Sequence, residues 1–297
     1  MLVHAENRST RSRHALVVAL VLAAVAGCGG SASEAGDVTA PSVPAADTGA
    51  IHVHGLGYDE PRDVLYVATH TGLFELLPQA DRARRIGDSR QDTMGFTLVT
   101  PRLLLGSGHP DLREDLPPHL GLLASRDRGR SWQSVSLLGE ADFHVLRAQG
   151  ETVYGLDSQS ADLLVSVDSG HTWARRPVPE AFIDLVIDPE DVRHLLASGG
   201  AALYESRDAG RTWSAVATGL AGYLAWPTAG RPLLVDVAGS LLSAPRPGGP
   251  WRTRAQLGSP PAALLAVDGR RLFVALHDGT IRQSSDGGTT WAVRARP

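Results

Sequence analysis

Histidine is the residue type in this chain whose placing could do chemistry. His52 and His54 form an HVH triplet at the head of an apolar run. His70 stands in ATHTG, His109 in GSGHPD, His144 in DFHVL and His277 in ALHDG. These are six of the eleven histidines among 297 residues. Neutral imidazoles that converge with carboxylates suit zinc, copper or nickel. On a strand His52 and His54 would point the same way, because side chains alternate with a period of two, and could share one ion. The plainer alternative is a set of separate histidines bonded to turns around a polar opening.

The elements that would position them are strands. Trp132, Trp173, Trp213, Trp251 and Trp291 are separated by 41, 40, 38 and 40 residues. A period of about 40 residues is the mark of a repeat fold. Within each period short apolar runs alternate with Gly, Pro and Asp turns, the pattern of β-structure; no segment of the domain reads as a convincing helix. One repeat gives FIDLVID, HLLASGG, ALYESRD and TWSAVAT as its strands. Six such four-stranded units fill residues 51–297, which predicts an all-β, six-bladed β-propeller. The chain would begin on an inner strand and end on an outer one, leaving no blade shared between its ends.

Alternation of strands sorts the residues. First-strand starts and second-strand ends share one face, and the turns between third and fourth strands lie on the other. His52, His54 and His144 fall at first-strand starts, as do Met94 and Tyr223. His70, His109 and His277 fall at second-strand ends. The acids expected nearby are Asp111, Asp142, Asp157, Asp184 and Asp278.

Four octets sit at the third-to-fourth turn: SRDRGRSW, SVDSGHTW, SRDAGRTW and SSDGGTTW, beginning at Ser125, Ser166, Ser206 and Ser284. Their common form is Ser-x-Asp-x-Gly-x-(Ser/Thr)-Trp. The Gly can take the positive φ of a tight turn, the Asp and hydroxyl can bond turn amides, and the Trp can pack on its own blade. Asp127 with Trp132, Asp168 with Trp173, Asp208 with Trp213, and Asp286 with Trp291 are therefore expected to be structural. A fifth copy is degenerate, with Ala244 and Arg246 where Ser and Asp would stand.

These octets resemble the Asp-box (BNR) repeat of sialidases and of sortilin-type and photosystem-assembly propellers. The chain also resembles bacterial exported proteins described as glycosyl hydrolase-like or exo-sialidase-like. The resemblance implies propeller turns remote from any active site. It also implies a rival activity, a glycoside hydrolase of sialidase-like type, for which Tyr223 with Asp142 or Asp184 are the candidate nucleophile and acid. Sialidases grip a carboxylate with an arginine cluster, whereas the arginines here fall mainly in the Asp-box turns and the first-to-second-strand turns. Binding rather than turnover is the primary reading.

The amino terminus carries a basic flank, an apolar run over 15–27 and then Cys28 in VAGC. The run is shorter than the roughly 20 residues a membrane-spanning helix needs and has the length of a signal-peptide core. VAGC resembles a bacterial lipobox, which implies a signal peptide over 1–27, lipidation of Cys28 and a tether over 28–50. Cys28 is the only cysteine, so a disulfide within the chain or a Cys-based metal site is excluded. Net charge is −4 with no sustained basic stripe, which argues against nucleic acid. The expected protein is a monomer on the extracytoplasmic face of the membrane, held there by its lipid alone. It would bind a metal ion (zinc or copper), a small polar molecule or an extracytoplasmic protein at the His-rich channel mouth.

Overall fold

The computed structural model describes residues 49–50, 52–227 and 231–297; the expected leader, Cys28 and most of the tether lie outside them. Twenty-four strands are present among the described residues, in six antiparallel four-stranded sheets. Blade 1 comprises β1 (Val53–Asp59), β2 (Val64–Thr69), β3 (Gly72–Leu76) and β4 (Arg84–Arg85). Blade 2 comprises β5 (Asp92–Thr100), β6 (Leu103–His109), β7 (Leu122–Ser125) and β8 (Gln133–Ser136). Blade 3 comprises β9 (Phe143–Gln149), β10 (Thr152–Asp157), β11 (Leu163–Ser166) and β12 (Ala174–Arg176). Blade 4 comprises β13 (Phe182–Asp188), β14 (Asp191–Gly199), β15 (Ala202–Ser206) and β16 (Ser214–Thr218). Blade 5 comprises β17 (Gly222–Ala225), β18 (Leu233–Asp236), β19 (Ser240–Ser243) and β20 (Arg252–Gln256). Blade 6 comprises β21 (Pro261–Ala266), β22 (Leu272–Leu276), β23 (Ile281–Ser284) and β24 (Ala292–Ala295). The one helical turn among the described residues is a 3-10 turn at Glu60–Arg62. The fold is the six-bladed β-propeller that the repeat predicts.

Burial explains the strand sequences. Second strands lie in the middle of a blade with other blades on both sides, so they are rich in apolar residues: VLYVAT in β2 and LFVAL in β22 are buried at every residue. Fourth strands form the outer edge and are largely exposed, as in β16 and β20. The apolar core divides into six clusters, each filling the seam between two neighbouring blades. The cluster between blades 6 and 1 joins Leu65, Val67 and Phe74 to Phe273, Ala275 and Ile281 and closes the ring.

The octet turns hold these seams. In the third, Ser206 Oγ donates to Asp208 Oδ1 (2.9 Å) and accepts from Gly210 N (2.8 Å). Asp208 Oδ1 also accepts from Thr212 N (2.9 Å), and Oδ2 from Thr212 Oγ1 (2.7 Å). The same four bonds recur in the turns of Asp127, Asp168 and Asp286. Gly129, Gly170, Gly210 and Gly288 have φ between +80° and +88°. Each also abuts a leucine of the preceding blade. A Cβ there would lie 2.4 Å from Leu73, 2.1 Å from Leu122, 2.5 Å from Leu163 and 2.3 Å from Leu241, respectively. The tryptophans follow the same rule. Trp132, Trp173, Trp213, Trp251 and Trp291 each join the cluster shared with the preceding blade. The expectation that they pack on their own blade is met as well: the ring centroids of Trp173 and Phe143 lie 5.1 Å apart and those of Trp213 and Phe182 4.9 Å apart, each pair within one blade. The same indoles reach the preceding blade, where an aromatic removes a large surface from water.

Blade 1 has no octet, so the seam between blades 6 and 1 lacks an indole and closes by other means. Arg294 donates to the carbonyls of Ala80 (2.5 Å), Leu77 (2.6 Å) and Pro78 (3.1 Å). Arg296 N donates to Asp81 O (3.1 Å). The Arg271 guanidinium donates to the Tyr58 hydroxyl and lies over its ring. No blade is shared between the ends of the domain, as expected, and these contacts stand in its place.

Candidate functional site

First strands of all six blades line a central channel. His54, Met94, His144, Ile183, Tyr223 and Ala262, one from each blade, border a cavity of about 700 Å³. His144, Met94 and Tyr223 thus sit where strand alternation places them. His52 does not share a strand face with His54. It precedes β1 with φ +52°, and the register of β1 on β2 shifts between Val53 and Gly55. That irregularity breaks the period of two on which the shared-face expectation rests. Both rings nevertheless reach His70, with centroids 5.3 Å away for His52 and 4.3 Å for His54.

Histidines and acids gather into two groups at successive blade junctions. Between blades 1 and 2, ligand atoms of His54, His70 and Asp92 lie within 4.8 Å of one another. Asp92 Oδ2 is 2.8 Å from His70 Nδ1. Asp92 Oδ1 and His54 Nε2 are 3.7 Å apart, and both are buried without a hydrogen-bond partner. Burial, with His70, His144 and His52 adding to it, pushes His54 down to about 4, so its imidazole is neutral at neutral pH. Between blades 2 and 3, ligand atoms of His109, His119 and Asp142 likewise lie within 4.8 Å of one another. Asp142 Oδ2 accepts from Ser158 Oγ (2.7 Å) and pairs with His144 Nε2 (3.0 Å). Burial works to raise the Asp142 carboxyl, but the His144 and Ser158 bonds outweigh it and hold it at about 2.

The two groups repeat one relation: a histidine at a second-strand end faces an aspartate at the start of the next blade. His70 with Asp92 is one case and His109 with Asp142 the other. Asp92 and Asp142 each stand two residues before a channel-lining residue, Met94 and His144. Aligning QDTM with ADFH exposes that equivalence in the sequence, yet strand alternation alone does not select Asp92. Nor does it select His119, which lies in the connection between β6 and β7. His277 is exposed at the end of β22 and belongs to neither group. His194 shows the contrasting case: its Nδ1 pairs with Asp188 and its Nε2 with Glu205, each at 2.7 Å. Both nitrogens are committed, so that imidazole is structural.

The candidate hydrolytic set is engaged elsewhere. Asp184 is 1% exposed. Its Oδ1 accepts from Arg147 (2.6 Å) and Leu185 N (2.7 Å), and its Oδ2 from Leu224 N (2.8 Å). Burial pushes its carboxyl up, while Arg147 and the two amides pull it down. With both oxygens occupied it is not placed to hand a proton to a leaving group. Burial first and the Asp184 charge second raise the Tyr223 phenol, the opposite of an activated nucleophile. Asp142 belongs with the histidines. The remaining acids hold backbone amides: Asp111 accepts from Arg90 N (2.8 Å), Asp157 from Asp142 N (3.0 Å) and Asp278 from Thr280 N (2.9 Å).

No protein-family model matches the chain, and no curated protein matches it. Solved structures do match in fold. The GH74 enzyme of Niastella koreensis superposes with a TM-score of 0.61 at 14% identity, over 84% of this chain and 46% of that one. The GH74 xyloglucanase of Xanthomonas campestris gives 0.57 at 20% identity, over 82% and 45%. A structure of the nidogen/laminin complex gives 0.65 at 12% identity, over 79% and 93%. The chain therefore spans about half the length of the GH74 enzymes. At these identities the likeness is one of fold, and propellers host many activities.

Proposed function

We propose that this is an exported, lipid-anchored propeller of the Asp-box group that binds a divalent transition-metal ion, zinc or copper, at its channel mouth. The ion would be held by His54, His70 and Asp92, with His52 beside them. One observation carries the reading. His54 Nε2 and Asp92 Oδ1 face each other at 3.7 Å, buried, with no hydrogen bond to either. That separation is too long for a hydrogen bond, yet two ligands about 2.0–2.1 Å from one tetrahedral zinc lie roughly 3.4 Å apart. His70 Nδ1 lies 2.8 Å from Asp92 Oδ2, which keeps the third donor at the same junction as the other two. The repeated octets support the Asp-box grouping, and the apolar run ending at Cys28 supports export and anchoring.

The test is thermal unfolding of the chain, purified without a histidine tag, at increasing zinc and then copper. An ion at 100 times its Kd stabilises by about 2.7 kcal/mol. For a domain of this size that is roughly 5–11 °C, at about 2–4 °C per kcal/mol. A saturable rise of that order, abolished in the double variant His54→Ala with His70→Ala, is expected. An unchanged melting temperature at millimolar zinc and copper would refute the reading.

A further inference from the structure

We infer that a second divalent transition-metal ion binds at the junction of blades 2 and 3, held by His109, His119 and Asp142. This extends the metal reading above but shares no ligand with it. Each donor is prepared in its own way. His109 Nδ1 lies 2.8 Å from the Pro118 carbonyl. A carbonyl can only accept, so Nδ1 carries the proton and Nε2 presents its lone pair. That is the arrangement in which a ligating histidine is held by a backbone carbonyl. His109 Nε2 is 3.8 Å from Asp142 Oδ2, beyond hydrogen-bond reach.

Asp142 is 2% exposed. Its Oδ2 is taken by Ser158 and His144, while Oδ1 is buried with no donor. A buried carboxylate oxygen without a partner is costly, and a cation removes that cost. His119 Nδ1 is likewise buried and unpartnered. Two imidazoles and a carboxylate are the donor set of a zinc or copper site with a position left open. Donors about 2.0–2.1 Å from one ion cannot be more than about 4.2 Å apart, and those here lie within 4.8 Å. The group would thus close by roughly half an ångström, on the same bond lengths. His119 is the donor carried by a connection rather than a strand. That connection is tied to the rim by Leu120 N donating to Gly108 O (3.0 Å) and Gly139 N donating to His119 O (2.7 Å). His144 positions Asp142 and borders the same cavity as His54, so the two sites open on one channel.

The experiment is equilibrium dialysis of the full chain against zinc, with Cys28 alkylated and no histidine tag, read as zinc per chain. Amide exchange at Leu120 and Gly139 is followed in parallel. The expected result is two zinc ions per chain, one in His119→Ala, one in His54→Ala and none in the double variant. Zinc should slow exchange at both amides in the wild type and not in His119→Ala. Asp142→Asn, which keeps the shape of the side chain, should also lose one ion. A single zinc that survives His119→Ala and disappears with His54→Ala overturns the second site and leaves the first. A single zinc lost with His119→Ala and kept in His54→Ala overturns the first site and leaves the second. No zinc overturns both.

Discussion

Gly210→Ala probes how the octet turns join blade to blade. Two costs are expected at that position. Its φ of +80° lies in the left-handed region, which a side chain enters at about 1–2 kcal/mol. The new Cβ would also stand 2.5 Å from Leu163 Cδ2 of the preceding blade, and overpacking of this kind costs roughly 1–3 kcal/mol. The sum is about 2–5 kcal/mol, or roughly 4–20 °C in Tm at 2–4 °C per kcal/mol. Gly219 supplies the control, with φ +72° and nothing within 4 Å of where a methyl group would stand. Gly219→Ala should therefore cost the backbone share alone, about 1–2 kcal/mol. Leu163→Ala by itself should cost about 2–5 kcal/mol as a buried truncation, but it makes room for the methyl group that Gly210→Ala adds. The double variant should then be less destabilised than the sum of its parts by about 1–3 kcal/mol, the overpacking share. Urea unfolding followed by circular dichroism gives all four free energies. Equal losses for Gly210→Ala and Gly219→Ala, with strict additivity between Gly210→Ala and Leu163→Ala, would refute the seam contact.

Other consequences follow from the bonds around the ring. Arg294→Ala removes three donations to carbonyls of blade 1; the expected loss is about 1.5–3 kcal/mol in urea unfolding, with faster amide exchange first in blades 1 and 6. Asp184→Ala leaves the Arg147 guanidinium and the Leu224 amide without their partner and should cost about 3–5 kcal/mol in the same assay. Acid stability has a definite sign. At Asp127 and Asp208 burial opposes ionisation, but the bonds from Ser131 and Ser125, and from Thr212 and Ser206, hold each carboxyl at about 2. A depressed carboxyl contributes stability that is complete above its unfolded value of about 3.9 and lost as pH falls through its folded value. Melting temperature should thus fall between about pH 4 and pH 2, and Asp208→Asn should flatten that fall.

The architecture was legible because a propeller repeats itself. One period of about 40 residues carries the tryptophan, the turn octet and four strands, and each copy reinforces the others. Strand alternation sufficed to set Met94, His144 and Tyr223 on the channel. It failed at His52, where a shift in register interrupts the pleat. It could not reach His119, since a residue in a connection has no strand phase to read. That the tryptophans also reach the preceding blade was likewise hidden, because the seams depend on how whole blades meet, and no local pattern encodes that. Asp92 was legible in principle, through its equivalence with Asp142, but only once the two blades are aligned residue by residue. Each histidine group draws on two consecutive blades, 1 with 2 and 2 with 3, a convergence that the packing of neighbouring blades creates.

The most direct test of metal binding at the mouth is an anomalous difference map from crystals of the zinc-loaded protein, with data collected on both sides of the zinc absorption edge. The expected result is a peak between His54 Nε2, Asp92 Oδ1 and the His70 ring, at about 2.0–2.1 Å from each ligand atom. A map with no zinc peak at that junction, with the three side chains unmoved, would contradict the proposed function.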